Sequence, residues 1–135
     1  MQIPMFKPQT EWVCPDDFPD LSKYDEIAID LETKDPNLNK RMGSGSVVGE
    51  GDVVGISLAT HDWCAYYPIA HEGGGNMDRK MVLKWLQDQL NTPATKIFHN
   101  AMYDVCWLRA LGLKINGRIV DTMIAASLVD ENRFR

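Results

Sequence analysis

Two carboxylates, Asp30 and Glu32, stand two residues apart at the end of a short apolar segment. Successive side chains of a β-strand point to opposite faces, so residues two apart share a face and these two acids converge. Two acids in a segment of Ile, Ala and Leu are costly to desolvate unless a positive charge lies between them. A divalent cation would supply that charge, but an acidic strand end that emerges into solvent explains the same pattern. The pair alone leaves both interpretations open.

A second polar pair, Asn100 and Asp104, is spaced four residues apart at the start of a helical segment. That spacing puts both side chains on one face of the helix, in its first turn. Asn100 suits the N-cap position and the helix dipole favours an acid near the N-terminus, so a structural role explains this pair too. Asp104, however, aligns with the apolar side chains Leu108 and Leu111, which predicts a carboxylate at the edge of the core. We expect it near the acids of the first strand.

The other titratable groups give weaker signals. Asp121 precedes Thr122 at the start of a further helical segment, so we expect it to N-cap that helix and to stay outside the catalytic set. His61, His71 and His99 have no metal-ligand spacing, and none lies beside a candidate serine or cysteine nucleophile. The three cysteines are far apart and form no C-x-x-C pair, which argues against a zinc or disulfide framework and favours small buried side chains.

The surrounding patterns predict one α/β domain with the element order β-β-β-α-β-α-α. The predicted strands cover 27–32, 52–59, 63–69 and 96–99. The predicted helices cover 77–90 and 101–111, and a third begins after Asp121. Residues 1–25 are expected to form an extended arm anchored by Trp12 and Phe18. The glycine-rich stretch 43–51 lacks a packable pattern and is expected to be a flexible loop. It is not expected to bind phosphate, because it lacks phosphate-loop spacing and no helix follows it.

The composition permits one compact domain, because the chain has 135 residues and 44% of them are apolar. Its apolar runs stay below the roughly 20 residues of a membrane span, and its start lacks the order of a secretory signal. These features predict a soluble cytoplasmic protein without a membrane partner. The net charge of −5 argues against binding nucleic acid mainly through a basic surface, but not against enzymes that meet phosphate through bound metal ions.

Two segments together resemble a known family. Ile27-Ala28-Ile29-Asp30-Leu31-Glu32-Thr33 and, later, His99-Asn100-Ala101-Met102-Tyr103-Asp104 are similar to the first two motifs of the DEDD superfamily of 3′→5′ exonucleases. The resemblance is closest to the exonuclease domain of family A DNA polymerases, where D-x-E-T ends the first strand and N-x-x-[FY]-D opens a helix. It runs from about residue 26 to 132. It implies a ribonuclease H-like fold, a mixed sheet with an antiparallel hairpin and a parallel strand, flanked by helices.

The resemblance also implies a set of functional residues and partners. The catalytic residues and metal ligands would be Asp30, Glu32 and Asp104. The residues near the terminal nucleotide would be Thr33, Asn100 and Tyr103. Two divalent cations, Mg²⁺ or Mn²⁺, would support hydrolysis of the 3′-terminal phosphodiester of single-stranded DNA, in proofreading for a polymerase domain of the same longer chain.

The family's third motif, Y-x-x-x-D or H-x-x-x-D, is absent from the sequence, which ends 31 residues after Asp104 (135 − 104). That motif supplies the fourth carboxylate and the Tyr or His that orients the attacking water. We therefore expect a C-terminally incomplete domain over residues 26–135, with weak metal binding and little or no activity. Two alternatives stay open: an exoribonuclease with the same first two motifs, and a non-catalytic nucleic-acid-binding module with a degenerate exonuclease fold.

Overall fold

The computed structural model describes residues 13–40 and 44–129. Its strands are β1 (Glu26–Lys34), β2 (Asp52–Ala59), β3 (Cys64–Pro68), β4 (Thr95–Phe98) and β5 (Ile119–Asp121). Its helices are α1 (Gly45–Val48), α2 (Arg79–Leu90), α3 (Ala101–Ala110) and α4 (Thr122–Val129), and a 3-10 turn covers Leu38–Lys40. No helix in the described ranges is long and apolar enough to cross a membrane.

Within these ranges the strands form one five-stranded sheet in the order β3-β2-β1-β4-β5. β2 pairs antiparallel with both β1 and β3, whereas β4 pairs parallel with both β1 and β5. The predicted mixed sheet, an antiparallel hairpin beside a parallel strand, is confirmed. β5 has no counterpart among the predicted strands, because three residues are too few to show a strand alternation.

β1 divides its side chains between the two faces of the sheet. Ile29 and Leu31 are buried in the core, whereas Asp30 and Glu32 are exposed on the opposite face. The register of β1 against β2 shifts between Glu32 and Thr33, which marks a bulge directly after the second acid. The two carboxylates therefore share one open face of the sheet, as strand alternation predicts.

Helices α2 and α3 supply the other side of the core. Val82, Leu86 and Leu90 of α2 and Leu108 of α3 are fully buried in one cluster with the apolar residues of β1. The carboxylate of Asp78 caps α2 by accepting hydrogen bonds from the N–H groups of the first turn. Helix α4 differs, because none of its residues is buried.

The described part of the N-terminal segment, 13–25, contains no helix or strand but packs on the domain. Leu21 is 1% exposed, and its N–H donates to Gln89 Oε1 at 2.8 Å. Phe18 stacks on Tyr67, with the ring centroids 5.7 Å apart. Trp12, the other expected anchor, lies outside the described residues.

Two expectations from the sequence are wrong. Cys14 and Cys64 are exposed rather than buried, because one lies in the strandless N-terminal segment and the other begins the edge strand β3. The described part of the glycine-rich stretch, 44–51, contains the four-residue helix α1 instead of being a loop throughout. Ser44 caps that helix, and Gly49 ends it in the left-handed conformation at φ 75°.

Candidate active site

Asp104 lies near Asp30 of the first strand, as its alignment with the apolar side chains of α3 predicts. The side chain of Asp104 is 3% exposed, and its Oδ2 atom is buried without a hydrogen-bond partner in the described residues. Burial, and then repulsion from Asp30, raises the pKa of Asp104 to about 7, although a hydrogen bond from the Leu31 backbone opposes this shift. Repulsion from Asp121 acts in the same direction as burial.

This pair fits a divalent cation. A cation beside the unpartnered Asp104 oxygen would offset both its desolvation and its repulsion from Asp30, and carboxylate oxygens are the ligands that Mg²⁺ prefers. The fit is partial, because no three His, Cys, Asp or Glu side chains among the described residues are grouped as they would be around one ion. Glu32 shares the face of Asp30 but has other contacts.

Glu32 is held by a tyrosine from β3. The hydroxyl of Tyr66 donates to Glu32 Oε2 at 2.7 Å, and it also makes a hydrogen bond with His71 Nε2. His71 Nε2 lies 3.9 Å from the same Glu32 oxygen. Burial, the hydrogen bond to Glu32 and the charge of Glu32 raise the pKa of Tyr66, so that it stays a neutral donor. Spacing could not identify Tyr66 or His71, since both reach Glu32 across the sheet.

The start of α3 corrects one expectation from the sequence. Asn100 occupies the N-cap position in the left-handed conformation, at φ 68°, and its side chain makes no capping hydrogen bond. The cap comes instead from Asp121, whose carboxylate accepts from the N–H groups of Asn100 at 3.0 Å and Ala101 at 2.9 Å. Asp121 also accepts from Met123 N–H at 2.9 Å, which confirms its expected role as the cap of α4.

Thr33 and Tyr103 are brought together at the site. Their hydroxyl oxygens lie 2.8 Å apart, and Tyr103 also donates to Asp35 Oδ2 at 3.2 Å. The same Asp35 oxygen accepts from Gly45 N–H at 2.9 Å, so the network ties α1 to α3. The contribution of Asp35 is not visible in the sequence, because it depends on contacts with Gly45 of α1 and with Tyr103 of α3.

Two open grooves flank the carboxylates on this face. One, of about 480 Å³, is bordered by Asp30, Ser57, His99 and Thr122. The other, of about 860 Å³, is bordered by Glu32 and its two partners from the β3 side. Asp30 and Glu32 are therefore each reached by a groove, whereas Asp104 borders neither groove.

Comparisons with known proteins identify the family of the chain. Residues 16–134 match a family described as 3′–5′ exonuclease. A DNA-directed DNA polymerase of Pseudomonas phage M6 is 34% identical over 119 residues, which are 84% of this chain and 18% of that protein. DNA polymerase I of Chloroflexus aurantiacus is 33% identical over 84 residues, 61% of this chain and 9% of that protein. The chain thus spans less than a fifth of the length of these relatives.

Solved structures share the fold. NrnC of Brucella melitensis matches with a TM-score of 0.55 and 22% identity over 86% of this chain and 50% of that one. The EXO domain of Aedes aegypti Nibbler matches with a TM-score of 0.57 and 17% identity over 87% of this chain and 51% of that one. The fold is therefore that of ribonuclease H-like exonucleases. Together with the family match and the polymerase relatives, it shows that this chain belongs to the 3′–5′ exonuclease domain family of family A DNA polymerases.

Proposed function

We propose that this chain acts on the 3′ end of single-stranded DNA, as part of a 3′→5′ exonuclease that hydrolyses the terminal phosphodiester with two divalent cations. The ligands are Asp30, Glu32 and Asp104, and the cations are Mg²⁺ or Mn²⁺. The observation that carries the proposal is the buried Asp104 oxygen that lacks a partner beside Asp30. The polymerase relatives support DNA as the substrate.

The chain's own residues do three things in this reaction. The two divalent cations that they would hold would supply an activated water and charge stabilisation at the departing 3′ oxygen. Asp104 contributes a buried carboxylate that gives up its proton to become a ligand. Thr33 and Tyr103, which are already joined by their hydroxyls, line the side where the terminal nucleotide sits. Asn100, whose exposed side chain makes no capping hydrogen bond, would contact the same nucleotide.

The partners follow from the relatives. A polymerase domain in the same longer chain would deliver the 3′ end, because the relatives are DNA polymerases of which this chain matches a small part. We place residues 26–135 in the exonuclease domain and 1–25 in an arm that leads into it. We also propose that the protein acts in the cytoplasm.

The chain alone should be weakly active or inactive. Three carboxylates are present, but the sequence contains no Y-x-x-x-D or H-x-x-x-D motif to supply the fourth and to orient the attacking water. The expected behaviour is metal-dependent binding of single-stranded DNA with little shortening.

The test uses 5′-labelled DNA and RNA oligonucleotides of one sequence, with Mn²⁺, and follows both binding and shortening. Asp30→Ala removes the proposed ligand, and Asp88→Ala, an exposed acid on α2, is the matched control. We expect Mn²⁺ to strengthen DNA binding in the unaltered chain and in Asp88→Ala but not in Asp30→Ala.

Three outcomes contradict parts of the proposal. Robust stepwise shortening that Asp30→Ala abolishes contradicts weak activity. Tighter binding of RNA than of DNA contradicts the DNA substrate and favours an exoribonuclease. DNA binding that neither Mn²⁺ nor Asp30→Ala changes favours a non-catalytic binding module.

A further inference from the structure

The Tyr66 phenol reaches Glu32 from two strands away. In the sheet register Glu32 lies opposite Gly55 of β2, whereas Tyr66 lies opposite Ser57. The phenol therefore crosses β2 diagonally before its hydroxyl donates to Glu32 Oε2 at 2.7 Å.

Gly55 makes this crossing possible. A Cβ atom at position 55 would overlap the hydroxyl, Cζ and Cε1 atoms of Tyr66. Any side chain at that position would have to push the phenol off the path to Glu32. The absence of a side chain at Gly55 is thus matched to the hydrogen bond between Tyr66 and Glu32.

His71 contacts the Tyr66 phenol and helps to hold it in place. Its Nε2 atom makes a hydrogen bond with the Tyr66 hydroxyl, and the two rings meet edge to face with centroids 5.9 Å apart. The backbone of His71 is held in turn by Asn76, which accepts from its N–H at 2.8 Å and donates to its carbonyl at 2.9 Å. Asn76, His71 and Tyr66 therefore form a connected support that ends on Glu32.

We infer that Tyr66 is a positioning residue for the Glu32 carboxylate, supported by His71 and admitted by Gly55. The hydrogen bond occupies Oε2 and fixes the orientation of the carboxylate, so that Oε1 is available to a cation. Partners that orient a metal ligand in this way typically change metal affinity by about 10- to 100-fold when they are removed. This inference rests on the proposed function, because it takes Glu32 as a metal ligand.

The experiment measures the Mn²⁺ affinity of the whole chain without substrate. The concentration of free Mn²⁺ is read from its electron paramagnetic resonance signal. Tyr66→Phe removes the hydroxyl and keeps the ring. Tyr24→Phe is the matched control, because its phenol donates to Asp62 at 2.6 Å in the same kind of pair at the β2–β3 turn. We expect about tenfold weaker Mn²⁺ binding for Tyr66→Phe and unchanged binding for Tyr24→Phe.

Two further variants separate positioning from a general loss of structure. In a Glu32→Gln background, Tyr66→Phe should weaken Mn²⁺ binding no further, because its only route to the ion is removed. Gly55→Ala should weaken binding as Tyr66→Phe does, although the hydroxyl is still present. An additive loss in the Glu32→Gln background would contradict the inference.

The failures of the two proposals are distinguishable. If Glu32→Gln weakens Mn²⁺ binding and Tyr66→Phe does not, the positioning role is wrong and the proposed function stands. If neither Glu32→Gln nor Asp30→Asn weakens binding, the proposed function is wrong. An unaltered chain that binds no Mn²⁺ contradicts both.

Discussion

The carboxylate of Asp121 accepts a hydrogen bond from the N–H of Ala101 at 2.9 Å, so the end of β5 fixes the start of α3. Its other oxygen accepts from Asn100 and Met123, which extends the same control to α4. Asp104 lies in the first turn of α3, so its position depends on this contact. A residue outside the proposed ligand set therefore sets the placement of one inside it.

Asp121→Ala should destabilise the chain by about 2 kcal/mol, since it removes the caps of two helices at about 1 kcal/mol each. Asp78→Ala is the comparison, because Asp78 caps α2 alone through Lys80 and Met81. Urea unfolding of both variants tests the difference. Equal losses would show that the contacts of Asp121 to α3 contribute nothing to stability.

The metal-free chain should lose stability as pH rises from about 4 to 7. The pKa of Asp104 is near its ordinary value when unfolded and about 7 when folded, so the folded state binds the extra proton in that range. Once Asp104 is ionised, the free energy of unfolding should be about 2 kcal/mol lower. This loss is smaller than the full pKa shift would give, because water reaches the exposed Asp30 beside Asp104. Urea midpoints in the presence of a chelator, measured across this pH range, would show the slope.

Asp104→Asn should remove that slope, because the buried group no longer titrates. The exposed Asp88→Asn on α2 is the control and should keep the slope of the unaltered chain. A slope that survives in Asp104→Asn would assign the pH dependence to another group.

Tyr103→Phe should loosen α1. The lost hydroxyl joins Thr33 to Asp35, and the same Asp35 oxygen holds Gly45 N–H. Hydrogen exchange of residues 45–48 should accelerate about tenfold, the effect of losing about 1.4 kcal/mol of local stability. Tyr24→Phe, which lacks any contact with this network, should leave exchange there unchanged; equal rates in Tyr103→Phe and the unaltered chain would contradict the prediction.

Lys96→Met should destabilise the chain by about 2 kcal/mol. Lys96 is fully buried, and its ammonium donates to the carbonyls of Thr92 and, at 2.7 Å, Asn116. Methionine keeps the side-chain volume but leaves both carbonyl acceptors without that donor. Burial lowers the pKa of Lys96, which shows that the buried charge itself has an energetic cost. Lys84→Met, at an exposed position of α2, should change the urea midpoint little. Similar midpoints for both variants would show that these hydrogen bonds only offset the cost of burying the charge.

Much of the site was predictable because each motif lies within one element. Strand alternation places Asp30 and Glu32 on one face, and alignment with Leu108 places Asp104 at the core. The four-residue α1 and the three-residue β5 were not accessible, but the order of the longer elements was equally accessible, since they show their periodicity. These features depend on local spacing alone.

The supporting contacts were not predictable, because they join distant parts of the chain. Tyr66 is 34 residues from Glu32, and Asp121 is 20 residues from Ala101. Neither contact leaves a periodic pattern in the sequence. Asn100 is an example. A good capping residue occupies the cap position of α3, but a carboxylate from β5 provides the capping hydrogen bonds.

The most direct test of the central claim is Mn²⁺ titration of the isotopically labelled chain, followed by paramagnetic broadening of its backbone resonances. If Asp30 and Asp104 hold the cation, broadening should begin at these two residues and disappear in Asp30→Asn, while Asp88→Asn changes nothing. Broadening that is scattered over the exposed acids, or that persists around Asp104 in Asp30→Asn, would contradict a metal site at the junction of β1 and α3.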